Sequence, residues 1–309
     1  MDYLGPGDAL FDQLAYVDAN GRAYMGVDYW NTYPVEQTAT NRGRPSIRAQ
    51  TTKTYQYGLF VVDIAHMPAG GCGTWPAFWT SSIDHWPEHG QIDIIENINS
   101  ATFSEESLHV GSTFSGDVCE VVGNVNTDPG QQTGTQETYN CMWNATTSDY
   151  GSETQYSGQG CSANNNDANN FGESFNQNGG GVYVMEWTDE LIQIWSFGSG
   201  GGSIPVPKDL ADGTPDPLTW VKPIFTTWGG NCDIARHFID HTVVFDTTFC
   251  GSWAGQQGIW ETTSCYNADT APTCPDYVAA NPASFADSYW SVNSLKIYQW
   301  TIPVASSTT

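Results

Sequence analysis

The sequence is short of positive charge. Its 309 residues hold 9 Lys and Arg against 34 Asp and Glu, for a formal charge of −25. Such a surface repels nucleic acid and anionic lipid, and no basic run is present to override it. No apolar stretch approaches the roughly 20 residues that span a bilayer, so a membrane partner is not expected. The cysteines form no C-x-x-C pair, which excludes a zinc ribbon. No His/Asp cluster has the spacing of a catalytic metal site, so no metal ligands are assigned. The opening MDYLGPGDAL has neither a basic n-region nor an apolar h-region, so an exported form would be one already trimmed.

What is abundant points elsewhere. There are 13 Trp, 15 Tyr and 32 Gly, and hydrophobic residues make up 39% of the chain, enough for a sizeable core. Core packing is the commoner role of a tryptophan, but an indole face also suits the C–H face of a sugar ring. The 8 cysteines, at 72, 119, 141, 161, 232, 250, 265 and 274, fit up to four disulfides and an oxidising, secreted setting. Cys265 and Cys274 are nearest in sequence and are expected to pair. Asn144-Ala145-Thr146 is the N-glycosylation sequon, which is consistent with export.

Short β-rich runs recur between Gly, Asn, Asp and Pro clusters, among them TYQYGLFVVDIAHM, TWPAFWTSS, QIDIIENIN, ESLHVGST and DHTVVFDTTF. GVYVMEWTDELIQIWSF reads as a hairpin turning near Thr188-Asp189-Glu190. Several runs are apolar on both parities, as expected for strands inside a packed pair of sheets. The clearest helix is CPDYVAANPASFADSYW, limited by Pro282. Residues 119–181, rich in Gly and Asn and holding three cysteines, read as a stapled surface excursion. The whole predicts one all-β domain over 1–301, a β-sandwich, followed by a tail or linker remnant at 302–309.

The stretch GQIDIIENIN carries the chemistry. In a regular strand Gln91 and Asp93 share a face while Ile92 and Ile94 point to the core. Unbroken alternation would bury Glu96 among the isoleucines as a charge, which is costly. One β-bulge around Ile94-Ile95 brings Gln91, Asp93 and Glu96 onto one face, and bulges favour active sites. A face with two carboxyls about 5–5.5 Å apart supports glycosidic cleavage with retention, one attacking the sugar carbon and the other protonating the leaving oxygen. An acid between them helps keep the general acid protonated. An amide at position 91 carries no charge and is a poor nucleophile.

The stretch CGTWPAFWTSSIDHWPEHGQIDIIENIN resembles the catalytic region of the fungal family 16 glycoside hydrolases, the endo-1,3(4)-β-glucanases or laminarinases, whose motif is G-E-[IV]-D-I-I-E. The likeness runs on through GLFVVDIAHMP, SFNQNGGGVYVMEWT, CDIARHF, VVFDTTFCGSWAG and SYWSVNSLKIYQW, covering residues 43–300. It implies a concanavalin A-like β-jelly-roll with a curved groove for an extended β-glucan. Residue by residue it implies Gln91 at the nucleophile position, Asp93 as the assisting acid and Glu96 as acid/base. His109 matches a family position facing the site. Trp75 and Trp86 flank the catalytic strand and become candidate sugar contacts, while Trp79 reads as packing. Trp187 and Trp228 are further candidates, with the end of a core hairpin as the competing role for Trp187. His66 and His237 read as structural, and Glu88 as an exposed loop acid. The segment ahead of Tyr55 is shorter than the resemblance implies, which predicts an altered early strand or groove wall. No cofactor is required by such chemistry, though the family admits a structural Ca2+.

The expectation is therefore a secreted, monomeric, retaining endo-β-glucanase acting on laminarin, lichenan or cereal-type glucan, with its nucleophile changed from Glu to Gln and its activity largely lost. A Glu-to-Gln change keeps shape and deletes charge. The alternatives are a natural glucan-binding protein without catalysis, and a cell-wall transglycosylase on the same fold.

Overall fold

Two seven-stranded antiparallel sheets lie face to face in the computed structural model, which describes residues 1–36, 42–69, 71–121, 131–147, 155–200, 203–228 and 230–299. One sheet runs, edge to edge, Thr135–Thr138, Cys161–Asn164, Glu105–His109, Gln91–Glu96, Thr74–Ser81, Thr242–Phe249 and Arg48–Gln50. The other runs Phe225–Thr226, Ile192–Gly198, Gly181–Trp187, Gly58–His66, Trp290–Tyr298, Ala23–Met25 and Ala15–Val17. The all-β jelly-roll expectation holds. The expected tail lies outside the described residues.

Period-2 alternation explains the core. Phe78, Ile92, Leu108, Val243 and Phe245 point inward from the first sheet. Phe60, Val62, Ile64, Tyr183, Met185 and Ile194 meet them from the second, all within one buried cluster. Truncating a buried ring such as Phe78, 1% exposed, to Ala would cost about 3–5 kcal/mol. The second sheet is apolar on its outer parity too. Leu59, Val61, Val182, Val184 and Trp195 are covered there by Leu210, with Ile204, Val206 and Trp220 packed against them. That covering segment is why these strands show no hydrophobic–polar alternation.

The hairpin Gly181–Trp187 to Ile192–Gly198 turns where expected, with Thr188 Oγ1 accepting from the backbone N–H groups of Glu190 and Leu191. The expected helix spans Cys274–Ala280. It opens on a capping box between Thr273 and Asp276 and stops at Asn281, ahead of Pro282. Among the described residues ahead of Tyr55 there are five short strands, two of which, Ala15–Val17 and Ala23–Met25, complete one edge of the second sheet.

Two expectations need correction. Cys265 does not pair with Cys274: the bridges are Cys72–Cys265, Cys119–Cys232, Cys141–Cys161 and Cys250–Cys274. Cys274 is buried in the first turn of its helix and turns toward Gly73 and Cys250, so its sequence neighbour bonds elsewhere. The region 119–181 is also more than an excursion. Its Thr135–Thr138 and Cys161–Asn164 strands extend the first sheet at its edge.

Candidate active site

The Gln91–Glu96 strand is bulged as its sequence requires. Trp79 pairs with Asp93 and Phe78 with Ile95, leaving Ile94 as the extra residue. On the other side Asp93 pairs with Ser107 and Glu96 with Glu105. Ile92, Ile94 and Ile95 all stay in the core, at 0%, 1% and 0% exposure. Gly90 immediately precedes the strand; its φ of 79° suits glycine, and a Cβ there would stand 2.5 Å from the carbonyl oxygen of His237.

Paired residues share a face, so the outer surface of this sheet can be read as rows. One row runs Asn164, Glu105, Glu96, Ala77, Asp246, Arg48. The next runs Ser162, Ser107, Asp93, Trp79, Val244, Gln50, and a third runs His109, Gln91, Ser81, Thr242. Gln91, Asp93 and Glu96 thus meet on one recessed floor, with Asp93 at 0% and Glu96 at 7% exposure.

Hydrogen bonds tie the floor together. The Gln91 amide donates to both oxygens of Asp93, at 2.8 and 3.0 Å. Ser107 Oγ donates to Asp93 Oδ2 at 2.8 Å, and His109 Nε2 lies 3.1 Å from the same oxygen. A glutamate at position 91 would set a second carboxyl against Asp93. Glu96 accepts from the Trp75 indole Nε1 at 2.7 Å. Burial, and then the charge of Asp93, hold the Glu96 carboxyl well above the usual carboxylate range. Burial likewise raises Glu105. Asp246 is pushed up to about 7, first by burial and also by Asp93, against the opposing pull of Arg48. A protonated acid beside ionisable neighbours is what a general acid requires.

The aromatic candidates divide. Trp75 is half-buried over Glu96, and Trp86 stands 43% exposed on the loop that leads into Gln91. Trp79 is half-buried, with the Arg48 guanidinium 4.8 Å from its ring and its Nε1 3.4 Å from Asp246 Oδ2. Trp187 must be withdrawn as a sugar contact. It is 0% exposed between the sheets, packed against Tyr57, Phe60 and His241, because its parity on the hairpin strand faces the core. Trp228 is exposed at the turn after the edge strand Phe225–Thr226, on the opposite sheet. His66 stacks on Tyr289 with Nδ1 bonded to that residue's carbonyl, and His237 is wholly buried, so both are structural. Glu88 is an exposed loop residue.

Sequence reasoning missed Ser107, Glu105, Asp246 and Arg48. The first two were signalled by parity with His109 along EESLHVGS, and Asp246 by a lone acid within VVFDTTF. Among the described residues no three His, Cys, Asp or Glu side chains gather into a metal-holding group. No helix among them is long and apolar enough to cross a membrane.

A β-sandwich with carboxyls gathered on one sheet face has the parts that glycosidic cleavage requires. The family model for the XgeA-like catalytic GH16 domain matches residues 1–298. An endo-1,3(4)-β-glucanase of Arthroderma benhamiae is 39% identical over 300 residues, covering 97% of this chain and 59% of that protein. Laminarinase 16A of Phanerochaete chrysosporium, solved with 6-O-glucosyl-laminaritriose in donor and acceptor sites, superposes with a TM-score of 0.81 at 33% identity, covering 96% of this chain and 90% of that one. An elongating GH family 16 β-1,3-glucosyltransferase superposes with a TM-score of 0.79 at 36% identity, with the same coverage. The chain belongs to glycoside hydrolase family 16, among its XgeA-like catalytic domains. It spans less than two thirds of the length of the curated relatives it matches.

Proposed function

We propose that this chain is the catalytic domain of a secreted, monomeric endo-β-glucanase that cleaves β-1,3 or mixed β-1,3/1,4-glucan with retention, and that Gln91 occupies the place of its nucleophile. The observation that carries the reading is the placement of Glu96, buried and with its carboxyl raised well above the usual carboxylate range, on the same floor as the Gln91–Asp93 pair. With Glu at position 91, the carboxylate attacks the anomeric carbon as the glycosidic C–O bond breaks, and Glu96 gives its proton to the leaving oxygen. Glu96 then takes a proton from water, which displaces the sugar from the enzyme ester. Asp93 fixes the attacking carboxyl and is itself oriented by Ser107 and His109. The four disulfides and the fungal relatives support a secreted setting. No cofactor enters the reaction.

The amide at 91 removes the attacking charge, so the loss is expected to be at least ~10³-fold, about 4 kcal/mol of barrier. The test of mechanism is proton NMR of the fresh product from the Gln91→Glu variant. Retention predicts the β-anomer first, and an initial α-anomer refutes the double displacement. A second reading, a wall transglycosylase, is favoured by the likeness to the elongating glucosyltransferase. It predicts products longer than the donor oligosaccharide from the same variant.

A further inference from the structure

We propose that Trp143 joins Trp86 to form an aromatic subsite for one glucosyl unit beside the Gln91–His109 end of the carboxyl floor. The proposal rests on the glucan reading of that floor. The two indoles stand 5.9 Å apart, tilted by 54°, and both are open to solvent, Trp86 by 43% and Trp143 by 37%. They come from loops more than 50 residues apart in sequence, yet both are seated on the residues that follow the Glu105–His109 strand.

That seating is specific. Trp143 N–H donates to the carbonyl of Val110 at 2.9 Å, and Val110 N–H donates to the carbonyl of Cys141 at 2.8 Å. The Trp143 carbonyl accepts from Gly158, and the Cys141–Cys161 disulfide pins the same loop. Next along the strand exit, Gly111 N–H donates to the carbonyl of Pro87 at 2.6 Å, fixing the loop of Trp86. A Cβ at Gly111 would lie 2.8 Å from Glu88 N, so only glycine lets that loop lie so close. His109, one residue before Val110, is the cross-strand partner of Gln91. The indole pair therefore adjoins the floor.

Each indole sits on a loop held by backbone hydrogen bonds, with over a third of its surface open to a ligand. It offers a rigid apolar face at small conformational cost, the property that makes Trp an anchor in recognition. The C–H faces of a pyranose suit such a surface, and the protein's strong negative charge disfavours an anionic ligand there.

The test uses the chain as it stands, with Gln91, titrated calorimetrically with laminarihexaose. Trp143→Ala, shown by circular dichroism to be folded at the assay temperature, is expected to bind about tenfold more weakly, about 1.4 kcal/mol. Trp143→Phe, which keeps a ring, is expected to stay within about threefold of the parent. If Trp143→Ala binds as tightly as the parent, or if a folded Trp143→Phe is as weak as Trp143→Ala, the subsite is overturned while the glucan reading stands. If the parent binds no glucan, both fail together.

Discussion

Asp246 offers a sharp test of the electrostatics of the floor. It lies across Ala77 from Glu96, is 5% exposed, and has its carboxyl raised from an ordinary 3.8 to about 7, chiefly by burial. In the unfolded chain this group ionises near its ordinary value, so between about pH 4 and 7 the folded state binds the extra proton. Stability must therefore fall as pH rises through that window. A rise of about three in pKa is worth about 4 kcal/mol, complete only above the folded value. Asp246→Asn has no such proton and removes this slope. The assay is urea unfolding of parent and variant at pH 4, 5.5, 7 and 8. The difference between them is expected to shift by about 2–4 kcal/mol in favour of the variant from the lowest to the highest pH. Any constant loss from the new amide contacts, such as that with Trp79, drops out of this comparison. Parallel pH curves would instead show that Asp246 ionises as freely in the folded protein as in the unfolded chain.

Trp75→Phe in the Gln91→Glu background removes the 2.7 Å bond to Glu96, which favours the ionised carboxyl. The alkaline limb of kcat/KM is therefore expected to move up by about half to one pH unit, and a fixed or falling limb contradicts the assignment. Replacing Cys141 and Cys161 together by Ser opens a loop with a sequence separation of 20 residues. By loop-closure entropy this is expected to cost about 3 kcal/mol in urea unfolding, and a loss below about 1 kcal/mol would show that the hydrogen bonds around Val110 hold the loop without the bridge.

The strand of the site was legible because its conflict was local. QIDIIE cannot keep Glu96 off the core without a bulge, and the bulge falls at Ile94. The hairpin through Thr188 and the helix capped at Thr273 were readable for the same reason, their signals lying within a few residues. Trp187 was not, since it lies inside the same resemblance that suggested a sugar contact, and only its parity against Phe60 and His241 shows it buried. The floor beyond its own strand was also hidden. Arg48 and Asp246 are neighbours only through strand pairing, and Trp143 reaches Trp86 only through Val110 and Gly111. The disulfides failed similarly, because Cys72 and Cys265 meet across a separation of 193 residues.

On the proposed reading this floor is a glucanase site lacking only its nucleophile. That reading is tested most directly by reducing-sugar release from laminarin and from mixed-linkage β-glucan, for this chain and its Gln91→Glu variant. The account predicts that the variant gains at least ~10³-fold on one of the two glucans, which then names the preferred linkage. A variant as inert as the parent, while both still hold glucan, would contradict it and leave a binding protein in its place.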